Sequence, residues 1–168
     1  TDEDRWIEII KETEEKYGRI DILVNNAGIV KPGNPENQTT EEYRFTMSVH
    51  MDSTFFGCKY VIPVMAKTGG GSIVNMCSIA SVQGESYVAA YCAAKGAIEA
   101  YSRAVAVHCG LAKNGVRCNT IHPSGIATPM VASVPALMEE KFGASPVVQE
   151  APVESNKVGE PLDIANAA

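Results

Sequence analysis

The sequence predicts an α/β fold built on a doubly wound parallel sheet. Short apolar segments typical of buried strands alternate with longer segments that have the periodicity of helices. That alternation is the pattern of βαβ units, whose strands run parallel and are covered by helices on both faces. The length of 168 residues, without an internal repeat or linker, predicts that residues 1–168 form a single domain.

The opening of the chain predicts a helix followed by a strand. Residues 2–17 place apolar side chains at helical spacing among charges, and Gly18 marks the end of that helix. The apolar segment 20–24 (Ile-Asp-Ile-Leu-Val) predicts a strand, and Asn-Asn-Ala-Gly follows it at 25–28. Residues 31–38 are rich in Pro, Gly and Asn and therefore predict a loop.

The remainder of the chain continues the alternation. A Thr-x-x-Glu capping box opens a predicted helix over 39–67. Strands are predicted over 72–77 and 116–121, and an Ala-rich helix over 88–112 lies between them. Two further helices are expected to begin at Thr128-Pro129 and at Pro161.

Composition and charge exclude several classes of partner. The chain has 20 acidic residues against 14 Lys and Arg, a net charge of −6, which argues against nucleic acid because phosphates require a basic surface. No apolar run reaches the roughly 18–20 residues that cross a bilayer, so no membrane partner is expected. The five cysteines include no Cys-x-x-Cys pair, which predicts buried free thiols in a reducing, cytoplasmic setting.

The predicted strand ends locate a candidate site. In open parallel sheets, ligands bind outside the carboxyl ends of the strands. Those ends are residues 25–28, 77–81 and 122–128, and each is rich in Asn, Ser, Gly or Thr. A site for a small molecule is therefore expected where the three segments meet.

Ser78, Tyr91 and Lys95 form a candidate acid–base set. Tyr91 and Lys95 are four residues apart on the predicted helix 88–112, so their side chains share one face. An ammonium group near a tyrosine lowers its pKa, which is otherwise about 10 and too high for a good base. Ser78 follows the preceding strand at the same sheet edge, where its hydroxyl could bond the substrate oxygen whose proton Tyr91 exchanges.

In combination, these motifs resemble those of the short-chain dehydrogenase/reductase family. The sequence Asn-Asn-Ala-Gly at 25–28 matches the family's motif after its fourth strand, and Tyr-Cys-Ala-Ala-Lys at 91–95 matches its Tyr-x-x-x-Lys. Ser78 stands 13 residues before Tyr91, as the family's catalytic serine does. The segment 119–130 is similar to the family's Asn-x-x-x-Pro-Gly…Thr stretch. Its sequence also resembles that of the bacterial hydroxysteroid dehydrogenase branch of the family.

The resemblance implies a Rossmann-like fold and an NAD(P)-dependent oxidoreductase that interconverts a secondary alcohol and a ketone. Tyr91 is then the general acid/base, Ser78 orients the substrate oxygen, and Lys95 lowers the tyrosine pKa and holds the nicotinamide ribose. His50 takes the place of a family asparagine that helps to hold a relay water, and it could act there because histidine titrates near neutrality. Alternatively, the main chain carries that contact, and His50 is a packing substitution that burial keeps neutral. The residues implied to bind the cofactor, NAD or NADP, are Asn25, Ala27, Gly28, Tyr91, Lys95, Pro123, Ile126 and Thr128.

The sequence also departs from the family pattern. The glycine-rich dinucleotide turn is absent, and Gly-Gly-Gly at 69–71 does not replace it because it precedes a strand instead of opening a helix. We therefore expect the family's first strands and its C-terminal strand to be missing, so that the chain is the central and catalytic part of a longer enzyme, truncated at both ends. The residue that selects NAD or NADP is then not in this chain.

The resemblance further implies an apolar substrate and a homo-oligomer. The segment 129–160 would be the substrate lid, and its apolar residues suit an alicyclic or steroid-like alcohol or ketone. The helices over 39–67 and 88–112 are expected to form a homodimer or homotetramer, because the second carries small residues on several faces. The residues expected to form the substrate pocket are Ser78, Val82, Gln83, Glu85, Tyr87 and Met130.

Two other functions compete with the oxidoreductase. The first is a non-catalytic dinucleotide-binding or scaffold protein of the same fold, which His50 and the absent glycine turn would permit. The second is a metal hydrolase that uses His50, His108 and His122, although no two of these stand at a ligand spacing of four residues. The retained set of Ser78, Tyr91 and Lys95 favours the oxidoreductase, and no metal site is expected.

Overall fold

A computed structural model describes residues 1–143 and 158–168 of the chain. The predicted lid segment 129–160 therefore lies partly outside the described residues. The strands are β1 (Ile22–Asn25), β2 (Gly71–Met76) and β3 (Val116–Ile121). The helices are α1 (Glu3–Tyr17), α2 (Thr40–Met47), α3 (Ser53–Lys67), α4 (Ala89–Ala112), α5 (Pro129–Phe142) and α6 (Pro161–Ala167).

The strands form one parallel sheet in the order β1-β2-β3, which confirms the predicted parallel pairing. Leu23, Ile73 and Cys118 are aligned across the three strands. Since successive side chains of a strand point to opposite faces, these three residues share one face. All three strands carry their carboxyl ends to the same edge of the sheet.

The apolar core lies on that face, between the sheet and the helices α1, α3 and α4. On the opposite face, Ile22 and Val24 of β1 are 67% and 45% exposed. The sequence predicted helices on both faces of the sheet. In the part of the chain that the structure describes, the second face is covered only by α6, which lines the same cavity as Val24. The buried core residues are Ile10, Ile20, Cys58, Val61, Val64, Met65, Ile73, Val105, Cys109, Val116 and Cys118.

The ends of the helices follow the signals in the sequence. Gly18 ends α1 with a φ of 76°, a left-handed conformation that glycine adopts without strain. The predicted capping box is present at α2: the Thr39 hydroxyl accepts from the Glu42 N–H at 3.1 Å, and the Glu42 carboxylate accepts from the Thr39 N–H at 3.0 Å. Pro129 occupies the first turn of α5, where its missing N–H leaves no hydrogen bond unmade.

The predicted helix over 39–67 differs from the structure at its centre. A π-helical turn over Ser48–Asp52 separates α2 from α3. Such a turn changes which side chains face inward, and it is common at functional sites. Here it carries His50, which is 1% exposed.

Four of the five cysteines, at positions 58, 77, 109 and 118, are buried, and all five are free, as expected. Across the described residues, no helix is both long enough and apolar enough to span a bilayer.

Candidate active site

Two adjacent cavities open at the carboxyl edge of the sheet. We call the first, of about 500 Å³, the strand-end cavity, because residues after all three strands line it, among them Gly28, Ser78 and Thr128. We call the second, of about 660 Å³, the lid cavity, because one wall belongs to α5. The residues that line both cavities are Ser78, Tyr91, Ser124, Met130 and Val131.

Ser78 lies where the chain leaves β2. It has an extended backbone and caps a 3-10 turn over Ile79–Ser81, with its hydroxyl oxygen accepting from the Ala80 N–H at 3.2 Å. A serine is suited to this place because its short side chain satisfies the first free N–H of the turn. The cap fixes the hydroxyl close enough to Tyr91 to influence the pKa of its phenol.

Tyr91 stands in the first turn of α4 and faces Ser78. Burial raises the pKa of its phenol, and the nearby Ser78 hydroxyl, which favours the phenolate, opposes this only in part. Tyr91 therefore holds its proton at neutral pH. This differs from the sequence expectation of a lowered pKa, because here burial outweighs every favourable contact.

Lys95 lies one helical turn further along α4 and is almost fully buried. Its ammonium donates to the carbonyl oxygen of Met76 at 2.7 Å and lies 5.5 Å from the centre of the Tyr91 ring. Burial lowers the pKa of Lys95 to about 8. The lysine thus holds the end of β2 and lines the strand-end cavity, but its charge is not among the influences that set the tyrosine pKa in this structure.

His50 packs edge-on against Tyr91, with ring centroids 5.3 Å apart and an interplanar angle of 84°. Its Nε2 donates to the carbonyl oxygen of Ile29 at 2.8 Å, and its buried Nδ1 has no partner among the described residues. Burial first, and then the charge of Lys95, lower the pKa of His50 to about 4. This pKa favours the alternative in which His50 is a buried packing residue that stays neutral across the physiological range.

The position of the His50 ring also explains why residue 28 is a glycine. A Cβ added to Gly28 would stand 2.8 Å from Cε1 of His50, which is too close for any other residue without a shift of the ring. Gly28 thus lets the segment after β1 lie directly on the imidazole.

The structure brings most of the implied cofactor residues to the strand-end cavity but not all of them. Gly28, Pro123, Ile126 and Thr128 line it together with Tyr91 and Lys95, whereas Asn25 and Ala27 do not. Asn25 is the last residue of β1 and shares the inner face with Leu23, so its Nδ2 donates to Oδ1 of Asn75 at 2.8 Å in the interior. Asn26, one residue later, points to the cavity instead.

Five of the six residues predicted to form the substrate pocket line the lid cavity. Gln83, Glu85, Tyr87 and Met130 line the lid cavity with Ser78. Val82 does not: it ends the 3-10 turn and is 71% exposed. On α5, Val131, Val134 and Pro135 also line this cavity, whereas Met138 is buried in packing.

Several lining residues were not expected from the sequence. They are Val30 in the lid cavity, Ser124 in both cavities, and Pro161, Ile164 and Ala165 of α6 in the strand-end cavity. Ser124 lies within the predicted segment 122–128, and Val30 stands two residues after the segment 25–28, so their position was a usable signal. No sequence signal indicated that α6 contributes to the cavity, because only the tertiary arrangement brings that helix to β1.

The three histidines of the metal hydrolase alternative do not converge. His50 is bonded to Ile29, and His108 is on the exposed surface of α4. His122 lies at the end of β3, bonded to Ser81 and Thr120.

Comparisons with known proteins agree with this geometry. A family model described as "Enoyl-(Acyl carrier protein) reductase" matches residues 1–168. The chain is 39% identical over 167 residues to the NADP-dependent (R)-specific alcohol dehydrogenase of Lentilactobacillus kefiri, covering 98% of this chain and 64% of that protein. It is also 39% identical over 131 residues to the 3-beta-hydroxysteroid dehydrogenase of Comamonas testosteroni, covering 77% of this chain and 51% of that one.

The fold agrees with solved structures of the same kind. The crystal structure of levodione reductase superposes with a TM-score of 0.87 at 31% identity and covers 99% of this chain and 64% of that chain. The chain thus belongs to the short-chain dehydrogenase/reductase family, and its sheet is the parallel, Rossmann-like sheet of that family. It spans about 64% of the length of the first curated relatives that it matches.

Proposed function

We propose that the protein is an NAD(P)-dependent oxidoreductase that interconverts a secondary alcohol and a ketone. The observation that carries the proposal is the position of Ser78 and Tyr91, which line both cavities. A substrate in one cavity and a cofactor in the other would meet at these two hydroxyls. The family membership supports the same reaction class.

The residues of the strand-end cavity fit the nicotinamide end of a dinucleotide. Its wall combines the close main chain at Gly28 with a cation, Lys95, and with hydroxyl groups at Tyr91 and Thr128. Hydroxyl and ammonium groups are suited to bind ribose oxygens. Lys95 and Tyr91 would hold the ribose, and Ile126 and Thr128 would hold the nicotinamide. The cofactor supplies or accepts the hydride.

Residues of this chain transfer the proton that accompanies the hydride. In ketone reduction, Tyr91 donates its phenolic proton to the carbonyl oxygen, which the Ser78 hydroxyl holds in place. The raised pKa of Tyr91 supports this direction near pH 7, since the proton is present to be given. Alcohol oxidation requires the phenolate and is therefore expected to accelerate as the pH rises.

His50 and Lys95 position the residues that contact the substrate and the cofactor. His50 supports the ring of Tyr91 and fixes the segment after β1 through Ile29. Lys95 holds the carbonyl of Met76 two residues before Ser78. Each therefore sets the place of a residue that touches substrate or cofactor.

An apolar alicyclic or steroid-like substrate fits the lid cavity best. Its walls are mainly apolar, with side chains of Val30, Met130, Val131 and Val134, and its volume is about 660 Å³. Relatives named as acting on ring alcohols include the 3-beta-hydroxysteroid dehydrogenase and the trans-4-hydroxycyclohexanecarboxylate dehydrogenase of Sinomonas cyclohexanicum. The segment 129–160 would cover the substrate, and the ion pair between Lys141 and Glu42, at 2.8 Å, supports α5 in that position.

We also propose a homodimer or homotetramer through the helices of 39–67 and 88–112. A groove of about 400 Å³ lies between α3 and α4, with Phe55, Ile62, Tyr101 and His108 in its walls. Phe55 is 38% exposed there, so a second copy that covered the groove would remove an aromatic ring from water.

The experiment is a turnover assay on the full-length protein with a metal chelator present. NAD and NADP are each offered with a cyclic secondary alcohol, a 3-hydroxysteroid and a primary alcohol of equal carbon number, and formation of reduced nucleotide is followed by absorbance. The proposal predicts turnover with the cyclic alcohols. Nucleotide binding without turnover of any alcohol, or of the matching ketones in reverse, would support the scaffold alternative and contradict the proposal.

A further inference from the structure

A second group of chemically reactive side chains lies behind Ser78, beside the proposed active site. It comprises Cys77 after β2, Glu99 on α4 and His122 after β3. One ligand atom from each residue (the cysteine sulfur, a carboxylate oxygen and an imidazole nitrogen) lies within 4.8 Å of the other two. Among the residues that the structure describes, this is the one such group of three.

We propose that Cys77, Glu99 and His122 form a binding site for a divalent cation of the zinc type. Sulfur, imidazole nitrogen and carboxylate oxygen are the three donor classes that zinc accepts, and three protein ligands with a water complete a tetrahedral site. Bond lengths of about 2.0 to 2.3 Å place tetrahedral ligand atoms about 3.5 Å apart. The three atoms therefore need to approach one another by roughly 1 Å to enclose the ion.

The surroundings allow that approach at one residue and support the site at another. The Glu99 side chain is 16% exposed and is paired with Arg103, which is 69% exposed, so its carboxylate reaches the ion by loosening this ion pair at the surface. The two nitrogens of His122 each have a partner in place: Nδ1 is 3.1 Å from the Ser78 carbonyl oxygen, and Nε2 is 2.9 Å from the Thr120 hydroxyl. Whichever nitrogen binds the ion, the other keeps a hydrogen bond that orients the ring, as zinc-bound histidines do.

Charge also suits a divalent ion. A thiolate from Cys77 and the carboxylate of Glu99 together carry two negative charges, which the ion would neutralise. In the structure, the Cys77 thiol donates to the carbonyl oxygen of Lys95 at 3.1 Å, and Glu99 is paired with Arg103. Binding exchanges the thiol hydrogen bond for the metal bond and releases one proton.

The sequence does not reveal this group, because its members stand 22 and 23 residues apart and on three different elements. Only the parallel sheet brings the ends of β2 and β3 together, and α4 then supplies the third ligand. The prediction that the chain has no metal site is therefore replaced by this proposal.

The test uses the metal-free full-length protein and cobalt(II) as a spectroscopic probe, because cobalt occupies zinc sites and shows a thiolate-to-metal charge-transfer band. We expect one cobalt ion per chain with that band, displaced by zinc. We expect Cys77→Ser to abolish the band. By calorimetry, Glu99→Gln and His122→Asn should each weaken zinc binding by at least about tenfold. Cys92→Ser and His108→Asn, which alter a thiol and an imidazole outside the group, should leave binding unchanged.

Circular dichroism verifies that each variant is folded. If Cys77→Ser does not fold, the partly exposed Glu99 still decides the matter, since Glu99→Gln removes a ligand without opening a cavity. Absence of a charge-transfer band in the folded wild-type protein would overturn the proposal. So would zinc affinities of Glu99→Gln and His122→Asn equal to that of the wild type.

Discussion

The burial of His50 predicts a specific loss of stability in mild acid. Its pKa is about 4 in the folded chain, against 6.5 when exposed in the unfolded chain. Between these values the unfolded state binds more protons, so stability is fully present above about pH 6.5 and is lost as the pH falls towards 4. The complete effect is about 3 kcal/mol, of which about 2 kcal/mol falls between pH 7 and pH 5.

His50→Asn removes the titration but keeps a polar side chain at the position. The assay is urea unfolding of the wild type and the variant at pH 7 and at pH 5, with the free energy of unfolding extrapolated to water. We expect the wild type to lose about 2 kcal/mol more than the variant on going to pH 5, because all other titrating groups cancel in the comparison. His108→Asn, on the surface of α4, is the matched control and should behave as the wild type.

Equal losses in the wild type and in His50→Asn would refute the reasoning. They would mean that the imidazole is already accessible to protons in the folded protein. A related expectation concerns activity: between pH 6 and pH 9 the pH–rate profiles of the two proteins should superimpose, because a neutral His50 carries no proton into the relay.

Three further predictions concern the cofactor and the assembly. Lys95→Met should weaken nucleotide binding and remove any alkaline limb near pH 8 from ketone reduction, whereas an unchanged profile would leave Lys95 a purely structural role. Residues 1–168 alone should bind NAD or NADP with no affinity detectable by calorimetry in the low micromolar range, because the sequence has no glycine turn for the pyrophosphate; tight binding would contradict this. Phe55→Glu should reduce the oligomer to a smaller species in light scattering, and Tyr17→Glu on α1 should not.

The arrangement of Ser78 and Tyr91 could be predicted because local rules are sufficient for it. In a parallel sheet, the residue that follows a strand lies at the carboxyl edge of the sheet, and the next helix begins at the same edge. The distance of 13 residues leaves room for one turn and a loop, so the two hydroxyls meet. The capping boxes and the helix ends are predictable for the same reason, since their signals lie within a few residues.

The features that were missed depend on long-range packing. Asn25 was assigned to the cofactor through the resemblance of its motif to that of the family, whereas in the structure it belongs to β1 and alternation turns it inward towards Asn75. The raised pKa of Tyr91 and the lowered pKa of His50 both arise from burial, which a sequence pattern does not reveal. The π-helical turn at His50, like α2, packs against α4, a helix distant in the sequence.

The most direct test of the central claim is the substitution Tyr91→Phe in the full-length protein, measured for turnover and for nucleotide affinity in the same preparation. Because the variant removes only the phenolic oxygen, the account predicts that turnover falls to below about a tenth of the wild-type rate while nucleotide affinity changes by no more than a few fold. Tyr17→Phe, on the surface of α1, is the matched control and should retain full activity. If Tyr91→Phe keeps more than about a tenth of the wild-type turnover, the proton comes from elsewhere and the account is wrong.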